Sequence, residues 1–120
     1  MSTALVLALC ALLGYQHPPQ RIVDAIASAS ASDEDAALLV VYGVRESGLS
    51  EHPAPWSWDA RTGVSCGPWQ LRCSLSSTPE ADARTWLRLV RASSLASVDS
   101  SPRRAAWRER LAMSLLSLVR

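Results

Sequence analysis

The chain has 120 residues, of which 48% are hydrophobic, enough for one compact domain with a core but too few for a second. Its formal net charge of +1 excludes the overall positive field that draws a protein onto nucleic acid or acidic lipid. We therefore predict a single domain, residues 1–120, with one functional site and no nucleic-acid partner.

Cysteine and histidine content argues against a metal site. The three cysteines are Cys10, Cys66 and Cys73, and none shows the paired spacing with histidines that a zinc site requires. We expect no metal and no cofactor. Cys66 and Cys73 could meet if the chain turns back between them, but a reduced pair is the favoured interpretation.

The first predicted element is the apolar run of residues 4–13. It lacks the positively charged start of a secretory signal, and it is far shorter than the roughly 20 residues that span a bilayer. The run predicts a buried first helix and no stable membrane span. The alternative is a short membrane-associating segment of an exported lysin.

Two further helices follow in the first half of the chain. A proline pair breaks the chain and favours a short second helix from Gln20 to about Ala27. Ser32 then caps a third helix, with acids in its first turn and Asp35 at the capping-box position. Residues 36–44 are apolar on every side, which predicts a central buried helix, and Gly48 is a natural stop.

The second half of the chain starts with a turn-rich region, residues 48–77, which predicts an irregular loop or a small β-hairpin. Thr78 and Pro79 then begin a fourth helix, and Ser101 and Pro102 begin the last. The fourth helix has an apolar stripe made of Ala83, Trp86, Leu87 and Val90. In the last helix the predicted buried face is Trp107, Leu111, Leu115 and Leu118. The chain therefore predicts a mostly α fold of about five helices around residues 36–44.

An arginine stripe, Arg84, Arg88 and Arg91, lies on the polar side of the fourth helix. It could meet an anionic polymer, but Glu80 and Asp82 are close enough along the helix to offset its charge. The stripe is interpreted as a solvated face.

Glu46 is the candidate catalytic residue. A carboxylate in the last turn of a helix faces the negative end of the helix dipole, and an apolar helix solvates it poorly. Both effects favour the protonated carboxyl, which can donate a proton to a leaving oxygen. Cleavage of a glycosidic bond needs that step.

Two motifs carry a family resemblance. The first is Glu46-Ser47-Gly48 at the end of the central helix, and the second is a segment with Gly63, Gly67, Gln70 and Leu71. Together, over roughly residues 32–71, they resemble the soluble lytic transglycosylases and the goose-type lysozymes. The chain departs from the family pattern in three places. Three residues instead of two separate the glycines, Pro68-Trp69 replaces a smaller pair, and Cys66 precedes the second glycine.

The resemblance implies a lysozyme-like fold in which the loop or hairpin forms one wall of a sugar cleft. It implies cleavage of peptidoglycan glycan strands between N-acetylmuramic acid and N-acetylglucosamine at the bacterial cell wall. Glu46 would act first as the acid and then as the base, and Ser47 would orient the substrate or the acid. Gln70 and Leu71 would line the glycan-binding wall, where Trp69 could stack on a sugar ring.

Alternatives stay open at this point. A hydrolytic lysozyme needs a second carboxylate, for which Asp59 and Glu51 are the acids in the loop. A different class is an inactive lysozyme-like domain that binds glycan or joins a virion or cell-envelope assembly, and a phage-encoded lysin or virion component would suit the small size. Trp56 and Trp58 could also stack on sugars, although packing is the commoner role of tryptophan.

Overall fold

Five α-helices carry most of the chain in the computed structural model, which describes residues 1–59 and 63–120, with residues 56–59 described by their backbone only. The helices are α1 (Thr3–Leu12), α2 (Gln20–Ala29), α3 (Asp33–Ser47), α4 (Pro79–Ala92) and α5 (Pro102–Val119). A short 3-10 turn, Leu95–Ser97, precedes α5. The predicted mostly α fold class is confirmed, and the arrangement is compatible with a lysozyme-like description.

The turn-rich region forms a small antiparallel sheet. Its strands are β1 (Trp56–Asp59), β2 (Gly63–Cys66) and β3 (Leu71–Arg72), in the order β1-β2-β3. β1 and β2 pair as the predicted hairpin, with Trp56 opposite Ser65, and Ser65 in turn lies opposite Arg72 of β3.

The central helix is α3, as predicted, and it contacts all four other α-helices. The Ser32 side chain caps it by accepting a hydrogen bond from the Asp35 backbone N–H, and the Asp35 carboxylate accepts one from the Ala31 N–H. At the other end Gly48 adopts a left-handed conformation with φ 64°, which stops the helix where the sequence predicts.

The first helix buries only one face. Val6, Leu9 and Cys10 lie in the core, whereas Leu7 and Leu12 are 39% and 46% exposed. Burial raises the pKa of the Cys10 thiol to about 11. Among the described residues, no helix is long and apolar enough to cross a membrane.

The buried face of α5 differs from the predicted one. Trp107 is 44% exposed, Leu118 is 70% exposed, and only Leu115 of the four predicted residues is fully buried. The face turned inward consists of Ala105, Arg108, Ala112, Leu115 and Leu116. Its alanines leave room for α3 to pack closely, and the Arg108 side chain turns inward to pair with Glu46.

The expectation of reduced cysteines is wrong, because Cys66 and Cys73 form a disulfide. The bond joins the end of β2 to the residue after β3, and so it closes the turn that carries Trp69 and Gln70. Cys10 is a free, buried cysteine.

A buried carboxylate anchors the same turn. Asp82 is 1% exposed and accepts hydrogen bonds from the Ser76 hydroxyl and the Ser77 backbone N–H. Gly67 packs directly against it, since a Cβ atom at Gly67 would lie only 2.4 Å from Asp82 Oδ2. Gly67 also has φ +79°, a backbone conformation that residues with a side chain rarely adopt.

We expect Gly67→Ala to destabilise the fold more than Gly63→Ala. Gly63 has nearly the same backbone conformation, φ +78°, but a Cβ atom there would meet no atom of the described residues within 4 Å. Both variants carry the left-handed strain of about 1–2 kcal/mol, and only Gly67→Ala adds a clash of about 1–3 kcal/mol. Chemical denaturation gives the two free energies of unfolding, and equal losses would show that the contact with Asp82 does not constrain the turn.

Candidate functional site

The end of α3 sets the position of Glu46. The Gly48 N–H donates to the Val44 carbonyl at 3.0 Å, the 5→1 bond of an αL helix ending, and the Leu49 N–H donates to the Gly43 carbonyl at 3.1 Å. Leu49 follows with φ 61° and is fully buried. This fixed ending holds Glu46 in the last helical turn, with its side chain 26% exposed.

Glu46 opens onto a cleft of about 700 Å³, within the range of about 300–1,000 Å³ typical of small-molecule sites. The turn after β2 supplies one wall, with Trp69, Gln70 and Leu71. Residues 96–100, between α4 and α5, supply a second part of the wall. The remaining lining residues are Pro53, Ala54, Ser65, Arg72, Leu75, Leu89 and Arg104.

Glu46 forms an ion pair with a buried guanidinium. Arg108 of α5 is 7% exposed, and its Nη1 donates to Glu46 Oε1 at 2.7 Å. The same nitrogen lies 3.7 Å from Asp99 Oδ2, and the guanidinium carbon lies 4.8 Å from the centre of the Tyr42 ring. One cation is thus shared by two carboxylates and covered by an aromatic ring.

Asp99 is the second carboxylate of this cluster, and its side chain is fully buried. It accepts hydrogen bonds from the Tyr42 hydroxyl at 3.0 Å, the Ser101 backbone N–H at 3.1 Å and Arg104 Nε at 2.9 Å. Burial raises the pKa of Asp99, but these donors, with Arg104 foremost, outweigh it and hold the pKa below its ordinary value. Burial, followed by the nearby Asp99 charge, raises the pKa of Tyr42 above its ordinary value.

The surroundings of Glu46 therefore differ from the apolar setting that the sequence suggests. The carboxyl group meets a guanidinium, and the partner comes from α5, far along the chain. The Arg108 guanidinium, 2.7 Å away, is a counterion for the Glu46 carboxylate.

Trp69 is part of the wall rather than an exposed stacking platform. It is 3% exposed, and its Nε1–H donates to the Leu39 carbonyl of α3 at 2.8 Å. Gly43 makes this approach feasible, because a Cβ atom there would lie 3.3 Å from Trp69 Nε1 and 2.8 Å from Leu49 Cδ2. Because so little of the indole is exposed, the structure does not support the expected stacking of Trp69 on a sugar ring.

In the part of the chain that the structure describes, the side-chain amide of Gln70 is hydrogen-bonded through its nitrogen only. Its backbone is left-handed with φ 51°, and its Nε2 donates to the Gly67 carbonyl at 2.9 Å. Its Oε1 is buried and has no hydrogen-bond partner among the described residues. A buried acceptor without a donor is costly, and a ligand donor would relieve that cost. Leu71 adds an apolar contact on the same wall and is 5% exposed.

Ser47 lies next to Glu46 but does not line the cleft. Its hydroxyl donates to the Gly43 carbonyl and accepts from the Ser50 N–H, both at 3.2 Å. The structure therefore gives Ser47 a role in the turn after α3, which does not support the expected contact with substrate.

The structure describes only some of the candidate site residues in the turn-rich region. The predicted role of Asp59 and the stacking of Trp56 and Trp58 concern side chains that lie outside the described residues. Glu51 is partly exposed, with Oε2 3.9 Å from Nε2 of the exposed His52, and neither residue lines the cleft.

Four residues of the site were not predicted from the sequence: Tyr42, Asp99, Arg104 and Arg108. The spacing of three of them along a helix could have indicated a shared face. Tyr42 lies one turn before Glu46, and Arg104 and Arg108 are one turn apart. Asp99, in the segment before α5, carries no comparable local signal.

Comparison of the chain with known protein families, curated proteins and solved structures finds no match.

We expect Arg108→Met to lower the free energy of unfolding by about 3 kcal/mol, because it leaves Glu46 and the buried Asp99 without their shared cation. Arg110→Met is the matched control on the same helix, since Arg110 is exposed, and it should change stability by less than about 0.5 kcal/mol. Chemical denaturation measures both variants. Similar small losses for the two would argue against a central role for the ion pair.

Proposed function

We propose that this protein cleaves peptidoglycan glycan strands with Glu46 as its single catalytic acid, by a lytic transglycosylase-type mechanism. The main support is geometric. Glu46 belongs to the first motif of the family resemblance, Gln70 and Leu71 belong to the second, and all three line one cleft. The resemblance supplies the substrate class, the bond between N-acetylmuramic acid and N-acetylglucosamine.

In this proposal a protonated Glu46 donates its proton to the glycosidic oxygen as the bond to the anomeric carbon breaks. Proton donation leaves a carboxylate, and Arg108 stands 2.7 Å away to stabilise that charge. Before the proton is donated, Arg108 has a second carboxylate partner in Asp99, whose Oδ2 lies 3.7 Å from Arg108 Nη1. A small movement toward Asp99 keeps the guanidinium paired while Glu46 carries its proton.

The second half of the reaction returns the proton to Glu46. Acting as a base, the Glu46 carboxylate removes a proton from a hydroxyl group of the same sugar, whose oxygen then attacks the anomeric carbon. The product is an anhydro sugar, and no water is consumed. This route needs one carboxyl group at the reacting bond. Glu46 fits this requirement, because it lines the cleft and its side chain is partly exposed.

The disulfide supports action outside a reducing compartment. Cys66 and Cys73 are bonded on the wall that carries Gln70, and disulfides persist mainly in oxidising surroundings. The bacterial cell wall is such a place. The structure offers no comparable support for a virion or cell-envelope assembly partner.

A second candidate function is glycan binding without cleavage. The observation that favours it is the ion pair itself, since the Glu46 carboxyl group is already engaged by Arg108. This alternative keeps the cleft and its ligand but assigns no turnover. Activity on purified cell walls separates the two candidates.

We expect Glu46→Gln to lose wall-lytic activity by a factor of about 100 or more, because an amide cannot donate the required proton. The amide oxygen still accepts from Arg108, so the variant should fold, and circular dichroism with a thermal melt checks this. Glu51→Gln is the matched control, since Glu51 is a nearby acid that does not line the cleft, and it should keep full activity. Gln70→Ala should lose less activity than Glu46→Gln, because it removes a substrate contact and leaves the proton donor.

Turbidity loss of purified cell walls, followed by analysis of soluble fragments, measures these activities. Wild-type lysis by a folded Glu46→Gln protein would refute the proposed mechanism. Absence of lysis in the wild type, together with retained wall binding, would favour the binding function.

We further expect anhydro-muropeptides as the products. A hydrolase would release fragments heavier by one water, and it would need a second carboxyl group such as Asp59 about 6.5–9.5 Å from Glu46 if it inverts. Mass spectrometry of digested peptidoglycan distinguishes the two product types. Mainly reducing-end fragments, with activity lost in Asp59→Asn, would identify a lysozyme instead.

A further inference from the structure

A second hollow lies away from the cleft, on the outer face of α4. Its volume is about 540 Å³, and Arg84, Arg88 and Arg91 line it with Ala29 of α2 and Ala92. It shares no lining residue with the cleft beside Glu46. All three arginines are exposed, so their guanidinium groups are accessible from solvent.

The acids expected to offset these arginines do not do so. Glu80 pairs with Arg21 at 2.8 Å, and Asp82 is buried against the turn that carries Gly67. The expected charge offset is therefore wrong, although the three arginines are exposed to solvent as predicted.

One acid does reach the hollow, because Asp35 of α3 pairs with Arg91. On the adjacent helix α2, Asp24 accepts from Gln20 and forms no ion pair with the stripe. Within the described part of the chain, Arg84 and Arg88 have no carboxylate at ion-pair distance. A local surplus of two positive charges thus stands on a chain whose net charge is only +1.

The residues that line this hollow indicate which class of ligand it could bind. Guanidinium groups bind phosphate oxygens in a bidentate manner, and Arg84 and Arg91 lie about 10 Å apart along the helix axis. That separation suits several phosphates along one chain better than a single ion. The floor consists of two alanines, which offer no large apolar side chain to insert into lipid and no aromatic ring to stack on a base.

We propose that Arg84, Arg88 and Arg91 form a binding site for a linear polymer with repeated phosphate groups, recognised through its phosphates. Binding would hold the protein on a phosphate-rich polymer while the cleft stays free. The proposal does not depend on what the cleft cleaves, because the two sites share no residue.

The test uses the full chain and inorganic polyphosphate as the probe, with binding measured by titration calorimetry at several salt concentrations. The variant Arg84→Gln/Arg88→Gln should weaken binding at least tenfold. It should also reduce the slope of log Kd against log salt by about one for each arginine removed. The control Arg103→Gln/Arg110→Gln removes two exposed arginines of α5 and the same net charge, and it should change Kd less than twofold.

Equal weakening in both variants would overturn the proposal, because it would mean that net charge alone governs binding. Absence of saturable polyphosphate binding by the wild type would overturn it as well. Parallel titrations with anionic lipid vesicles and with single-stranded DNA should show weaker binding per phosphate than polyphosphate. Preference for either of them would assign the face to a membrane or a nucleic acid and reject the proposed polymer.

Discussion

The guanidinium of Arg108 is the group on which the candidate site depends. It is buried between Glu46 of α3 and Asp99 of the segment before α5, and it lies against the ring of Tyr42. A buried cation without partners is strongly unfavourable, so helix α5 must present this residue to α3. That requirement constrains the rotation of α5, and residues 96–100, which lead into it, line the cleft.

The near wall is held by close packing against the same helix. Gly43 lets the Trp69 indole reach the Leu39 carbonyl, and Gly67 lets its turn rest against the buried Asp82 carboxylate. The disulfide closes the turn from outside. Three independent contacts therefore restrain the short segment that carries Gln70, which explains how a residue with left-handed backbone and an unpartnered amide oxygen is maintained.

Local signals in the sequence were enough to predict the helices and their starts. Ser32, Thr78 and Ser101 each cap a helix as expected, accepting from the backbone N–H three residues later. The inward face of α5 could not be predicted in this way, because periodicity treats tryptophan and leucine as buried and arginine as exposed. The pairing of Arg108 with Glu46 is a contact between distant parts of the chain, and it outweighs the local pattern. The same limit applies to Asp82 and Glu80, whose partners lie on other elements.

The ion pair also bears on the acid and base steps proposed for Glu46. If Arg108 had Glu46 as its sole partner, protonation of the carboxyl would leave a buried cation uncompensated. Asp99 changes this balance, since Tyr42, Ser101 and Arg104 hold its carboxylate in place whatever the state of Glu46. The guanidinium then has a fixed negative charge beside it when Glu46 is neutral and two when Glu46 is ionised. In the proposed mechanism Glu46 acts as acid and then as base, and Asp99 leaves Arg108 with a paired carboxylate in both steps.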